Sequence, residues 1–160
     1  MFNECTKLVG GQGTAYDDNH IDAAYAHIDG GSSNPGYLTD PDVKLAYACY
    51  TPSNTTLTFY YDNLRYTRPG TTYNLNTGGN APGWRTDNTY LNVTKVVFNL
   101  SIRDAGPTST CRWFDGMTNL SSILGISYLN TSGVINMASM FRSCNKLTSL
   151  DLSGFNTLEG

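Results

Sequence analysis

The 160-residue sequence predicts a mainly β (α+β) fold: a small β cap domain followed by solenoid rungs, each a short helix plus a short strand. Three observations carry this expectation. First, a phrase recurs. Trp113-Phe114-Asp115-Gly116-Met117-Thr118-Asn119-Leu120-Ser121-Ser122-Ile123 returns as Met140-Phe141-Arg142-Ser143-Cys144-Asn145-Lys146-Leu147-Thr148-Ser149-Leu150, and Met1-Phe2-Asn3-Glu4-Cys5-Thr6-Lys7-Leu8 is a third copy. Spaced self-similarity marks units that bury their apolar faces by stacking on one another. Second, between the copies the hydrophobic period changes to two, the spacing of half-buried strands. Third, charged residues are only 14% of the chain against 39% hydrophobic, which suits turns and hydrogen-bonded rungs better than helices laced with ion pairs.

Residues 1–14 read as the tail of a repeat, closed by Gly10, Gly11 and Gly13. A short helix is expected next, capped by Asp18 or Asn19, with Ile21, Ala24, Tyr25 and Ile28 on one face and Gly30-Gly31 as its stop. Residues 32–42, rich in Pro, Asp, Asn and Gly, read as turn. Segments 46–51 and 56–62 are expected strands, with Leu57, Phe59 and Tyr61 sharing a face. Arg68-Pro69-Gly70-Thr71 fits a type II turn before a short strand at Tyr73 and Leu75. Residues 77–88 form a loop holding Trp84. The strongest strand signal is 93–102, where Val96, Phe98, Leu100 and Ile102 alternate and Val97 makes the centre apolar on both faces.

After Gly106-Pro107 the copies take over. Val134, Met137, Phe141 and Cys144 fit a helical stripe, and Leu150 and Leu152 alternate inward on extended chain. Leu129-Asn130-Thr131 is echoed by Phe155-Asn156-Thr157, with Asn130 and Asn156 in a turn slot suited to bonding the adjacent rung. The expected organisation is thus 1–45 closing a preceding repeat block, 46–106 as the β domain capping the repeats, and 107–160 as truncated rungs. Both ends read as cut, so the chain is expected to be an excerpt of a longer protein.

The net charge of −3, without a Lys/Arg cluster, argues against nucleic acid. No apolar run approaches the roughly 18 residues of a membrane span. Cys5 and Cys144 share a slot that Met117 also fills, so it should be a small buried apolar position. A Cys49–Cys111 disulfide stays open. No CxxC or metal-ligand spacing exists, and neither a metal nor a cofactor is expected. Asp87, Asp104 and Asp115 are not placed in pairs by anything in the sequence, so no glycosidase dyad is assigned. Trp113 and Phe114 hold a core slot. The candidate binding residues are Tyr60, Tyr66, Trp84, Tyr90, Arg65 and Arg68, amphipathic rings and guanidinium groups on strands or loops, where such side chains dominate contact energies; the alternative is that Trp84 plugs the sheet under its loop, the tyrosines brace strands and the arginines are solvated turn residues.

The phrase from Met140 through Leu150-Asp151-Leu152-Ser153 to Phe155-Asn156-Thr157 resembles the BspA-like leucine-rich repeat surface proteins of bacteria. Ala46-Tyr47-Ala48, residues 56–62 and Val96-Val97-Phe98 look similar too, so the resemblance covers nearly the whole chain. It implies leucine-rich-repeat-like rungs on a secreted or bacterial cell-surface protein. It also implies a non-enzymatic adhesion or protein-interaction module whose ligand is a protein or glycan on host or neighbouring cells. A passive structural spacer and a carbohydrate-binding accessory domain of a surface enzyme are the alternatives. One departure stands out: Ile126-Ser127-Tyr128-Leu129 follows its phrase one residue later than Leu152-Ser153-Gly154-Phe155 does, which predicts a distorted first rung.

Overall fold

Strands form where aromatic and β-branched residues crowd together, from residue 45 onward. The computed structural model describes residues 1–156 and contains β1 (Leu45–Thr51), β2 (Thr56–Asp62), β3 (Thr71–Asn74), β4 (Lys95–Phe98) and β5 (Ser122–Leu124). They make one mixed sheet in the order β3-β1-β2-β4-β5. β1 and β2 are neighbours joined by a 3-10 turn, Pro52–Asn54. β3 pairs antiparallel with β1, setting Ala48 opposite Tyr73. Gly70 permits the return to β1: its φ is 138°, and a Cβ there would stand 2.3 Å from the Tyr50 carbonyl oxygen. The β2–β4 and β4–β5 pairs are parallel, placing Phe59 opposite Phe98 and Val96 opposite Ile123.

Parallel neighbours need long crossovers, usually helical. Here they are irregular. The first carries β3 and a single helical turn, α1 (Gly83–Thr86); the second carries the phrase beginning at Trp113. Both pack onto Phe59. Its ring stacks on Phe98 at 4.7 Å and on Trp113 at 4.8 Å, and meets Trp84 edge-on at 5.6 Å. Phe59, Trp84, Trp113, Phe114, Met117 and Leu120 are fully buried, so this aromatic cluster is the core.

The predicted solenoid of helix-and-strand rungs does not form. Among the described residues there is one uncurled sheet, one helix of four residues, and isolated 3-10 turns. The helix expected within 18–30 reduces to the 3-10 turn Ala23–Tyr25. Asp17 Oδ1 accepts the Asn19 N–H and Asp22 Oδ1 accepts the Ala24 N–H, local bonds that offer the backbone an alternative to helix. The helix expected at 134–144 is absent as well. Ser139 and Ser143 have φ of 57° and 60°, and Asn136 Oδ1 accepts the Ala138 N–H. Neither residue 148–156 nor any part of that stretch is a strand, and Leu152 is left 37% exposed. The strand expected at 93–102 keeps only β4; Leu100–Asp104 turns into a 3-10 helix with Leu100 exposed and Ile102 buried.

The copies pair nonetheless. N–H groups of Thr110, Arg112, Phe114 and Gly116 donate to the carbonyls of Asn136, Ala138, Met140 and Arg142 at 2.8–3.0 Å. Each copy bends by the same turns: Met117 N–H to Phe114 O matches Cys144 N–H to Phe141 O, and Leu120 to Met117 matches Leu147 to Cys144. Gly116 and Ser143, in one slot, both have positive φ. The apolar residues recur every third position because the chain turns every three residues. The extra residue after the first copy is absorbed at Gly125, φ 70°, where a Cβ would meet the Phe98 carbonyl at 2.5 Å. Asn130 and Asn156 are both exposed, and Asn130 bonds its own chain at Ser132, so the expected inter-rung role fails. Thr131 Oγ1 accepts the Asn156 N–H instead, at 2.7 Å. The echo at Thr157 lies outside the described residues.

The chain forms two compact units, residues 1–45 with 62–68, and residues 46–61 with 69 onward. The sheet and its aromatic core make the second. The first is built differently. Within 1–45 only Gly10, Asp29, Gly36 and Tyr37 are buried. The Asp29 carboxylate accepts from the N–H groups of Gln12, Thr14 and Gly31 and from the Thr14 hydroxyl, at 2.7–3.0 Å. Burial pushes this carboxyl up, but the four donors outweigh it and hold it at about 2. Gly10 allows the approach, since a Cβ there would lie 2.5 Å from Asp29 Oδ2.

Candidate interaction surface

Two crossovers and the paired copies bring three arginines around one buried acid. Asp115 follows Phe114 in the first copy and is 2% exposed. Arg142, in the equivalent position of the second copy, donates to it through Nε at 2.8 Å and Nη2 at 2.9 Å. Arg85, on α1, approaches the same carboxylate at 3.7 Å. The Arg142 contact, then the charges of Arg142, Arg85 and Arg112, hold the Asp115 carboxyl below the usual aspartate range despite its burial. The Arg85 guanidinium lies 3.9 Å from the centre of the Tyr90 ring. Gly116, φ 76°, leaves room for that ring, because a Cβ would come within 2.9 Å of it. Lys146 extends the cationic face by donating to Asn119 Oδ1 at 2.9 Å.

The arrangement is pre-organised. Arg142 is doubly bonded while its side chain stays 62% exposed. Arg85 is held between a ring and a carboxylate, 28% exposed. A planar guanidinium fixed in this way loses little rotamer freedom on meeting a carboxylate. The acids nearby are held ionised. Asp87 accepts from the Tyr73 hydroxyl at 2.7 Å and lies below the usual range, its burial outweighed by bonds from Thr89 and Tyr73. A general acid would need the opposite shift.

Of the residues singled out from sequence, Tyr90 alone belongs to this cluster. Trp84 does not face solvent: it is fully buried and its Nε1 donates to the Trp113 carbonyl at 2.7 Å. That bond and the one from Asn76 Nδ2 to the Cys111 carbonyl at 3.0 Å satisfy acceptors on the side of the first copy away from the second. Tyr60 is half-buried and stacks on Tyr47 at 5.5 Å. Tyr66 packs on Gly13, with the Arg65 guanidinium 5.5 Å from its ring centre, and Arg68 pairs with Asp62. These last belong to the first unit, and Tyr60 and Tyr90 to the second.

The shared cysteine slot is buried only in part. Met117 is fully buried, Cys144 half-buried and Cys5 exposed. Cys144 Sγ donates to the Phe114 carbonyl at 3.2 Å, and burial pushes its thiol up to about 11. Cys49 and Cys111 are each buried and are not joined to one another.

Arg85, Arg142 and Asp115 were not legible as a site from local sequence. The signal was in the repeat: Asp115 and Arg142 stand 27 residues apart, as do Asn119 and Lys146, so partner positions of the two copies carry complementary groups. No family model matches the chain, and neither a curated protein nor a solved structure does.

Proposed function

We propose that the chain is a non-enzymatic protein-interaction module of a secreted or cell-surface protein, which meets an acidic partner surface through Arg85, Arg142 and the neighbouring Tyr90. The observation carrying this reading is the fixed cationic cluster on a chain of net charge −3: two guanidinium groups oriented by a buried carboxylate, beside a half-buried tyrosine. Arg and Tyr held in place before binding are the residue types that dominate contact energies. The cell-surface setting rests on the resemblance of the repeated phrase to BspA-like proteins. Sugar stacking is disfavoured, because Arg85 covers a face of the Tyr90 ring.

The test is binding of the fluorescently labelled chain to bacterial and epithelial cells by flow cytometry. Arg85→Glu with Arg142→Glu should abolish binding, as should prior trypsin treatment of the cells, while glycosidase treatment should not. Wild-type signal absent from every cell, or retained by the double variant, would leave a passive spacer. Loss after glycosidase alone would move the reading to a glycan ligand.

A further inference from the structure

We infer that the cationic cluster recognises an acid standing beside a large apolar side chain: Arg85 and Arg142 hold the partner's carboxylate, and its apolar neighbour lies on Leu91. The inference rests on the reading of this surface as a site for an acidic partner, and adds what that partner must present. It starts from unused donors. Asp115 occupies Nε and Nη2 of Arg142, which leaves Nη1 and the outer N–H of Nη2 as a second fork on the side away from Asp115. Arg85 approaches Asp115 Oδ2 at 3.7 Å, beyond hydrogen-bond distance, and among the described residues its guanidinium donates to nothing. Its place is fixed by the Tyr90 ring at 3.9 Å. Arg142 Nη2 and Arg85 Nε both face Asp115 Oδ2, at 2.9 and 3.7 Å, so a single carboxylate spans the gap between the two side chains. Two parallel N–H groups match the two oxygens of a carboxylate. Charge points the same way. The charges of Arg85, Arg112 and Arg142 all act on Asp115, so one acid stands against three bases.

Leu91 supplies the second contact. It lies in the crossover between β2 and β4 and follows Tyr90 in the 3-10 turn Thr89–Asn92. It is 45% exposed, while Val93, two residues on, is fully buried. A lone exposed leucine is ordinary. This one is set among fixed cations. Asn119 Nδ2 donates to the Leu91 carbonyl at 3.0 Å, and Asn119 Oδ1 accepts from Lys146 Nζ at 2.9 Å. One amide thus ties the turn to both copies of the phrase and brings an ammonium group next to it. The preceding residue, Tyr90, carries Arg85 on its ring. An apolar centre with a charged rim is the layout of a protein contact. The rim here is cationic, so it selects a partner whose own apolar residue has acids beside it.

The test is fluorescence anisotropy of the intact chain with two labelled peptides of equal length and charge, one built from Glu and Ser, the other from Glu and Leu. The Glu–Leu peptide should bind about ten-fold more tightly. Raising the salt should weaken both and leave their ratio unchanged, because screening acts on the charges alone. Arg85→Gln should weaken both peptides. Leu91→Ser, at an exposed position that the fold tolerates, should bring them to equal affinity. Equal affinities for the wild type, or a preference that survives Leu91→Ser, overturn the inference. The acidic-partner reading then still stands if both peptides depend on Arg85. Binding of neither peptide overturns the inference outright. So does a heparin oligosaccharide of equal charge that displaces the Glu–Leu peptide at a lower concentration than the unlabelled peptide does, since sulfate groups then take the place given to the carboxylate.

Discussion

The phrase at 113–123 and its copy at 140–150 have the same turns and the same left-handed residues, yet different surroundings. The first is closed on one side by Trp84 and Asn76 and on the other by the second copy, and Trp113, Phe114, Met117 and Leu120 are fully buried. In the second, Phe141, Cys144 and Leu147 are half-buried, and Met140 alone of its apolar residues is fully enclosed. The opening copy sits in a unit organised around a carboxylate instead of an aromatic core. Conformation in these segments is thus a local property of the phrase, while burial belongs to the neighbours. Stability should follow the neighbours.

The largest expected effect breaks the comparison at its aromatic column. Phe114→Ala should cost about 4 kcal/mol, because the cavity opens inside a closed cluster. Phe141→Ala should cost no more than about half, since water already reaches that ring. Urea denaturation of both variants measures the difference, and equal losses would remove the claim that the two copies differ energetically. The next effect lies in the third-position slot. Cys144→Met should be mild, under about 1.5 kcal/mol, and Cys144→Asp severe, because it buries part of a charge beside the Asp115 carboxylate. Cys5→Asp, at an exposed position, should leave the melting temperature nearly unchanged.

The opening copy's unit responds to acid instead. The Asp29 carboxyl titrates lower in the folded chain, at about 2, than in the unfolded one, so its contribution of about 2 kcal/mol is full above roughly pH 4 and lost as pH falls towards 2. Asp29→Asn should lose most of it at neutral pH and flatten the acid limb. Chemical denaturation at a series of pH values between 2 and 7 checks both. A smaller loss, about 1 kcal/mol, is expected for Trp84→Phe, which keeps the ring in the core but deletes the bond to the Trp113 carbonyl. The smallest effect is kinetic. With its thiol pushed up to about 11, Cys144 should alkylate with iodoacetamide at pH 8 more slowly than Cys5, a ranking read by peptide mass spectrometry.

The strands at Leu45–Thr51 and Thr56–Asp62 were legible because period two has a single structural reading there, and Leu57 and Phe59 face the core as their alternation requires. The core role of Trp113 and Phe114 was legible from the repeated slot. The helices expected at 18–30 and 134–144 do not form: apolar residues at every third position suit both a helix face and a chain of three-residue turns. Only the Asx bonds and the left-handed serines decide between them. Loop position leaves Trp84 open between a ligand contact and a plug beneath the loop, and its bond to the Trp113 carbonyl, 29 residues away in sequence, decides for the plug. The cationic cluster is legible in the sequence only at Tyr90, because Arg85, Asp115 and Arg142 come from three distant segments.

The sequence by itself determined the phrase, its three-residue turns, its positive-φ slots and the two central strands, all set by interactions within a few residues. Tertiary structure alone decided that β4 joins β2 and β5 in parallel, that one copy is sealed and the other open, and that Arg142 finds Asp115. Those outcomes depend on which surfaces exclude water together. A pattern read along the chain does not encode the partners across it.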